Sequence, residues 1–146
     1  MLLGVLTRVG FLGLSLVLLC GCGRFRKAKE CAALAKTVSS WLEQQPKPNP
    51  ANADAKTLAA EARATAQRYE SLDRSLAALD VKSPDLVSHL TRYRKLATDS
   101  AHALEQVAGA LDSGQAETAR RKRVEFDAIG QEEESVVAKI NADCRR

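Results

Sequence analysis

From residue 54 onward the apolar positions of this chain advance in alternating steps of four and three. Leu58, Ala62, Thr65, Tyr69, Leu72, Leu76 and Leu79 form one seam, with a single polar slot at Thr65. Leu86, Leu90, Tyr93, Ala97, Ser100, Leu104, Val107 and Leu111 form a second. A 4-3 step keeps side chains on one face of an α-helix, so each segment reads as a helix with one buried stripe. Local signals bound them. Asp54 is placed to cap the first. Ser83-Pro84-Asp85 starts the second, with serine as cap and proline at the first helical position. Asp112-Ser113-Gly114 breaks it. Another helix runs from Gln115 to about Cys144 on Ala119, Phe126, Ile129, Val136, Val137 and Ile140, a less regular pattern. Gly130 in its middle costs about 1 kcal/mol relative to alanine. It is expected to make room for a large neighbour, with Tyr69 at the same height.

Ahead of these lies a shorter helix from about Lys27 to Gln45, with Cys31, Leu34, Val38, Trp41 and Leu42 on one face. Pro46-Lys47-Pro48-Asn49-Pro50 ends it, because proline cannot continue a helix. Short connections between the later helices imply antiparallel neighbours. The fold class expected is therefore all-α: an antiparallel up-down four-helix bundle with a short first helix, after an N-terminal signal segment. From Cys31 to Gln45 a helix rises only ~22 Å, against ~42 Å for each of the others at 1.5 Å per residue. Residues Pro46 to Ala53, if extended, span ~25 Å at 3.1 Å per residue. They are expected to climb the bundle as a strap in place of the missing half-helix. Trp41, Tyr69, Tyr93 and Phe126 fall on seam positions, where core packing explains them.

Composition agrees. Hydrophobic residues make up 45% of the chain but aromatics only 4%, and alanine, leucine, arginine and glutamate dominate, which favours helix. The formal net charge is +4. Removing a leader that holds one basic residue, Arg8, lowers it by one, too balanced a charge to argue for nucleic acid.

The first residues read differently. Arg8 precedes an apolar stretch from Val9 to Leu19, the length of a signal-peptide core and short for a membrane span. Leu19-Cys20-Gly21-Cys22 follows. This resembles the lipobox of bacterial lipoproteins, in which a leucine, a small residue and a glycine or alanine precede the cysteine that is acylated. The resemblance implies a signal peptide over 1–21, a lipid on Cys22, a basic tether over 22–30 and a helical bundle domain over 31–146. Gly23 is not the aspartate that this family associates with inner-membrane retention, which implies the outer membrane facing the periplasm. The alternative is an uncleaved span from Met1 to Gly23 with Arg8 inside the bilayer, at a cost of a few kcal/mol. Arg24, Arg26, Lys27 and Lys29 in the tether are a solvated stretch or a contact to anionic headgroups. The domain is similar in texture to small, alanine-rich, uncharacterised helical lipoproteins of Gram-negative bacteria, a likeness that transfers no functional residues.

With Cys20 lost and Cys22 acylated, Cys31 and Cys144 remain. Export places them in an oxidising compartment, where an even pair is normally bridged. The up-down bundle brings the start of the first helix and the end of the last to one end, which is where these two residues stand.

Signals for chemistry are sparse. His89 and His102 are too far apart for an i, i+4 metal pair, and Asp99-x-x-His102 lacks the further carboxylates of a di-iron bundle. No C-x-x-C-H, G-x-S-x-G, S-x-x-K or phosphate-cradling glycine loop is present. Glu132-Glu133-Glu134 points around a helix, so at most one faces the core. Arg120-Arg121-Lys122-Arg123 is the densest charge cluster. It reads as a solvated face or as a docking patch for an anionic partner. No catalytic site, metal or cofactor is expected. The leading expectation is a non-enzymatic envelope lipoprotein, held on the membrane by its lipid and binding an envelope protein or anionic polymer. The alternative is a ligand-binding or sensor accessory protein, with an apolar pocket under the proline strap lined by Leu58, Ala62, Leu104, Val107 and Ala119.

Overall fold

The computed structural model describes residues 6–44 and 53–146, with side chains from residue 23 onward. Four helices follow one another: α1 (Leu6–Glu43), α2 (Ala55–Ala77), α3 (Pro84–Asp112) and α4 (Ala116–Cys144). No strand occurs among the described residues. The closest packing is α2 on α3 and α3 on α4, while α1 lies against α2 and α4. The chain is an all-α four-helix bundle.

Local chemistry sets the ends. Asp54 adopts extended backbone and its carboxylate accepts from the Thr57 N–H at 2.7 Å, the expected cap of α2. Pro84 opens α3. Gly114 turns the chain between α3 and α4 at φ 67°, a left-handed conformation that glycine takes without steric cost. Ser83 stands at the cap position of α3 but its hydroxyl makes no capping bond. The Ser83 N–H instead donates to a carboxylate from another helix, as described below.

Helix α1 stops at Glu43, two residues before the expected end. It also begins far earlier than Lys27. Residues 22–30, expected as a tether, are helical and continuous with the rest of α1. At the other end of α1 the Trp41 indole N–H donates to the Arg68 carbonyl at 3.1 Å, and its ring meets that of Tyr69 at 5.1 Å. Tyr69 in turn meets Phe126 edge-on at 6.0 Å. Helix α1 therefore ends beside the middle of α2. Ala55, where α2 begins, stands ~21 Å further along at 1.5 Å per residue. This agrees with the length argument and places Phe126 at the top of α1. The strap from Pro46 to Ala53 lies, except for Ala53, outside the described residues.

The core divides at that level. Below it Leu34, Leu72, Leu76, Leu86, Leu90, Tyr93, Leu96, Val136 and Ile140 form one buried cluster. Above it Ala59, Ala62, Ala66, Ala101, Leu104, Val107 and Ala108 form another. The α3 seam is as expected, from Leu86 through Val107. The α2 seam is not. Leu58 is 41% exposed and Ala59 is fully buried in its place, with Ala62 and Ala66 completing an alanine stripe. Small residues let α2 and α3 approach closely, and the stripe, not the larger Leu58, takes the contact. Leu42 is likewise 55% exposed, while its neighbour Trp41 takes the contact with Tyr69.

Gly130 corrects a second expectation. A methyl group added there meets nothing within 4 Å, so no neighbour occupies the space. Gly130→Ala should therefore stabilise the protein by up to ~1 kcal/mol through helix propensity alone. A thermal melt that falls instead would show that the glycine serves close packing.

Candidate functional site

Three places stand out as candidates, two polar and one apolar. The first is the end of the bundle where α1, the α2–α3 turn and the close of α4 meet. Cys31 and Cys144 are bridged there, with Cα atoms 5.7 Å apart, as expected. Glu30, only 6% exposed, accepts from the backbone N–H groups of Lys82 and Ser83 at 3.2 and 3.1 Å. One residue of α1 thus caps α3. Burial alone would raise the Glu30 pKa. Hydrogen bonds from the Ser83 hydroxyl and the two backbone N–H groups, with Arg26 nearby, outweigh it and hold the carboxyl below its ordinary value. Beside it His89 Nε2 lies 2.9 Å from Asp143 Oδ2, and Arg146 pairs with the other Asp143 oxygen at 2.9 Å.

The second place is the centre of the bundle. Tyr93 is the largest fully buried side chain, and its hydroxyl faces the Glu133 carboxyl. Glu133 is the one member of the acidic run that turns inward; Glu132 instead binds Arg92 on the surface. Burial raises the Glu133 pKa and the negative charge of Glu134 adds to this, against the opposing Tyr93 hydrogen bond. Burial also pushes the Tyr69 phenol up to about 12 and the Tyr93 phenol higher still, with Glu133 contributing to both. The Ser100 hydroxyl is buried near Tyr69 and makes no hydrogen bond.

These carboxyls give the protein two opposite pH responses. Glu133 binds its proton more readily in the folded bundle than in the unfolded chain. The stability it contributes is fully present below its ordinary value of 4.5 and is lost as pH rises through the raised folded value. Glu30 contributes above 4.5 and loses that contribution as pH falls through its lowered value. Glu133→Gln should therefore be more stable than wild type at neutral pH, and Glu30→Gln less stable. Urea midpoints at several pH values measure both. A Glu133→Gln variant no more stable at neutral pH would mean that the carboxylate is well solvated.

The third place is the seam between α1 and α4. An apolar cleft of about 270 Å³ opens there, with Leu34, Val38, Val137 and Ile140 on its walls, Tyr93 at its floor and the disulfide at one end. A more polar cleft of about 360 Å³ lies between α2 and α3, bordered by Glu70, Asp73, Arg74, His102 and Glu105.

The residues singled out from sequence are scattered. Of the strap pocket, Ala62, Leu104 and Val107 belong to the packed upper cluster, Ala119 is buried and Leu58 is largely exposed. Within the basic run, Arg120 binds Glu117, Lys122 binds Glu125 and Arg123 binds Asp127, while Arg123 also lies over the Phe126 ring. Only Arg121 of the four carries no partner among the described residues. His89 and His102 stand apart, the latter bonded to Gln106. Among the described residues no group of three or more His, Cys, Asp or Glu could hold a metal ion, and no helix is long and apolar enough to cross a membrane. The side chain of Cys22 lies outside the described residues.

Sequence reading passed over Glu30 and His89–Asp143. A carboxylate that caps a helix fifty residues away leaves no local signature. Glu133 had a signal, an acid in a run that cannot all face water, but nothing to say which member turns inward. Comparison with protein-family models, with curated proteins and with solved structures finds no match.

Proposed function

We propose that this chain is a lipid-anchored, non-enzymatic protein of the bacterial cell envelope, whose disulfide-closed bundle acts as a binding or structural module for an envelope partner. One observation carries most weight. The chain has a lipobox-like Leu19-Cys20-Gly21-Cys22, and its two remaining cysteines come together across the whole helical domain. A bridge of that kind persists in an oxidising compartment, the place to which such a leader would deliver the chain. The outer membrane facing the periplasm is the location this reading favours, on the identity of Gly23.

The distal basic run is a weaker candidate for an anionic partner than its sequence implied, since three of its four cations are paired with acids. The apolar α1–α4 cleft supports the second reading, a ligand-binding accessory protein, at a place other than the strap.

Cys22→Ser tests the anchor. Wild-type protein should enter the detergent phase of a cloud-point partition and carry acyl groups on its N-terminal peptide. The variant should lose the acyl groups and accumulate uncleaved or soluble. Wild-type protein that stays in the aqueous phase would end this reading.

A further inference from the structure

We infer that the disulfide end of the bundle docks on anionic phospholipid headgroups, so that anchor and folded domain engage the same membrane surface. This deepens the anchored reading and rests on it. Three observations carry the inference.

The first is charge. Arg24, Lys27 and Lys29 on α1 and Arg145 after α4 have no carboxylate partner among the described residues, whereas Arg26, Lys82 and Arg146 are paired with Glu30, Asp80 and Asp143. The acids left to oppose those four cations are Asp85 and the C-terminal carboxylate. The distal cluster, equally basic in sequence, is largely neutralised by its own acids. The surplus therefore sits at the anchor end.

The second is reach. Helix α1 is unbroken from the lipidation position into the bundle. Gly23 stands ~11 Å from Glu30 at 1.5 Å per residue, and Glu30 is already bound to the α2–α3 turn. No slack separates the lipid from the folded domain, and the unpaired cations of α1 come within about one Debye length, ~8–10 Å, of the headgroups.

The third is Phe25. It is 67% exposed on this same stretch, with the Lys29 ammonium 4.8 Å from its ring centre. An exposed phenylalanine on a basic helix can bury its ring at the boundary between headgroups and acyl chains while the cations meet the headgroups. Each lysine or arginine at an anionic surface strengthens attachment by roughly fivefold, and salt weakens the effect.

The test uses the purified full protein on vesicles of phosphatidylcholine alone or with phosphatidylglycerol added. The readout is amine acetylation at each lysine, followed by mass spectrometry. Lys82 reports the anchor end without belonging to the anchor helix, and Lys56 reports the far end. Lys82 should label several-fold more slowly on the anionic vesicles, with the protection lost in high salt and in an Arg24→Gln/Lys27→Gln/Arg145→Gln variant. Lys56 should not change. Circular dichroism melts of the variant should stay close to wild type, since Arg24 and Arg145 are exposed and half-buried Lys27 has no carboxylate partner among the described residues. Equal Lys82 labelling on both vesicles, or protection indifferent to salt, overturns the docking. The N-terminal peptide in the same digest reports the acyl groups. Their absence overturns the anchored reading, whereas the Lys82 response decides the docking in either case.

Discussion

Reduction of the Cys31–Cys144 bridge should lower the stability of the bundle by about 3–5 kcal/mol. The bridge joins residues 113 apart, and closing a loop of ~100 residues removes about 4.7 kcal/mol of unfolded-chain entropy in the simplest model. Loss of that constraint in a domain of this size lowers Tm by on the order of 10–20 °C. Cys31→Ala/Cys144→Ala should reproduce the effect without reductant. The loss should fall mainly on α1, which packs against α2 and α4 less extensively than those helices pack on α3. Hydrogen exchange in the variant should therefore rise first in residues 24–43. A Tm unchanged by reductant would mean that the hydrogen bonds Glu30 accepts and the packing of Leu34 hold α1 unaided.

Tyr93→Ala is the second large effect, a loss of about 3–5 kcal/mol, as for truncation of other fully buried aromatic residues. Two penalties combine. The ring leaves a cavity where the lower core cluster meets the α1–α4 cleft, and the Glu133 carboxyl loses its hydroxyl partner. Tyr93→Phe separates them, since it keeps the ring and removes only the hydroxyl. It should cost about 1 kcal/mol, the scale of one hydrogen bond, and should make stability depend more steeply on pH through Glu133. If the phenylalanine variant is as damaging as the alanine variant, the hydrogen bond and not the packing holds the centre of the bundle together.

Element boundaries were legible in the sequence because their causes are local. Asp54, Pro84 and Gly114 act through their own backbone or that of a residue three positions away, so the chain announces where α2, α3 and α4 begin and end. The α3 seam was legible for a different reason. It lies between two neighbouring helices, so its phase is enforced along its whole length. The phase of α2 was misread in its upper half. Leu58 and Ala59 are adjacent and both apolar, and periodicity alone does not separate them. The choice depends on how near α3 lies, which follows from Ala62, Ala66, Ala101 and Ala108 together. The reading of Gly130 failed because height along the bundle says nothing of direction around it. Of the candidate sites, the cysteine pair was legible from compartment and topology together, whereas Glu30 and Asp143 act across helices and are visible only once the fold exists.

The position of the bridge also fixes an order in time. Cys144 follows Cys31 by 113 residues, so a chain delivered from its N-terminus presents Cys31 long before its partner emerges. Helices α2, α3 and α4 are joined by short turns and pair with sequence neighbours, which makes their assembly fast. The bridge to Cys31 cannot close until the last turn of α4 has been delivered. Oxidation of this pair thus follows delivery of the whole helical domain.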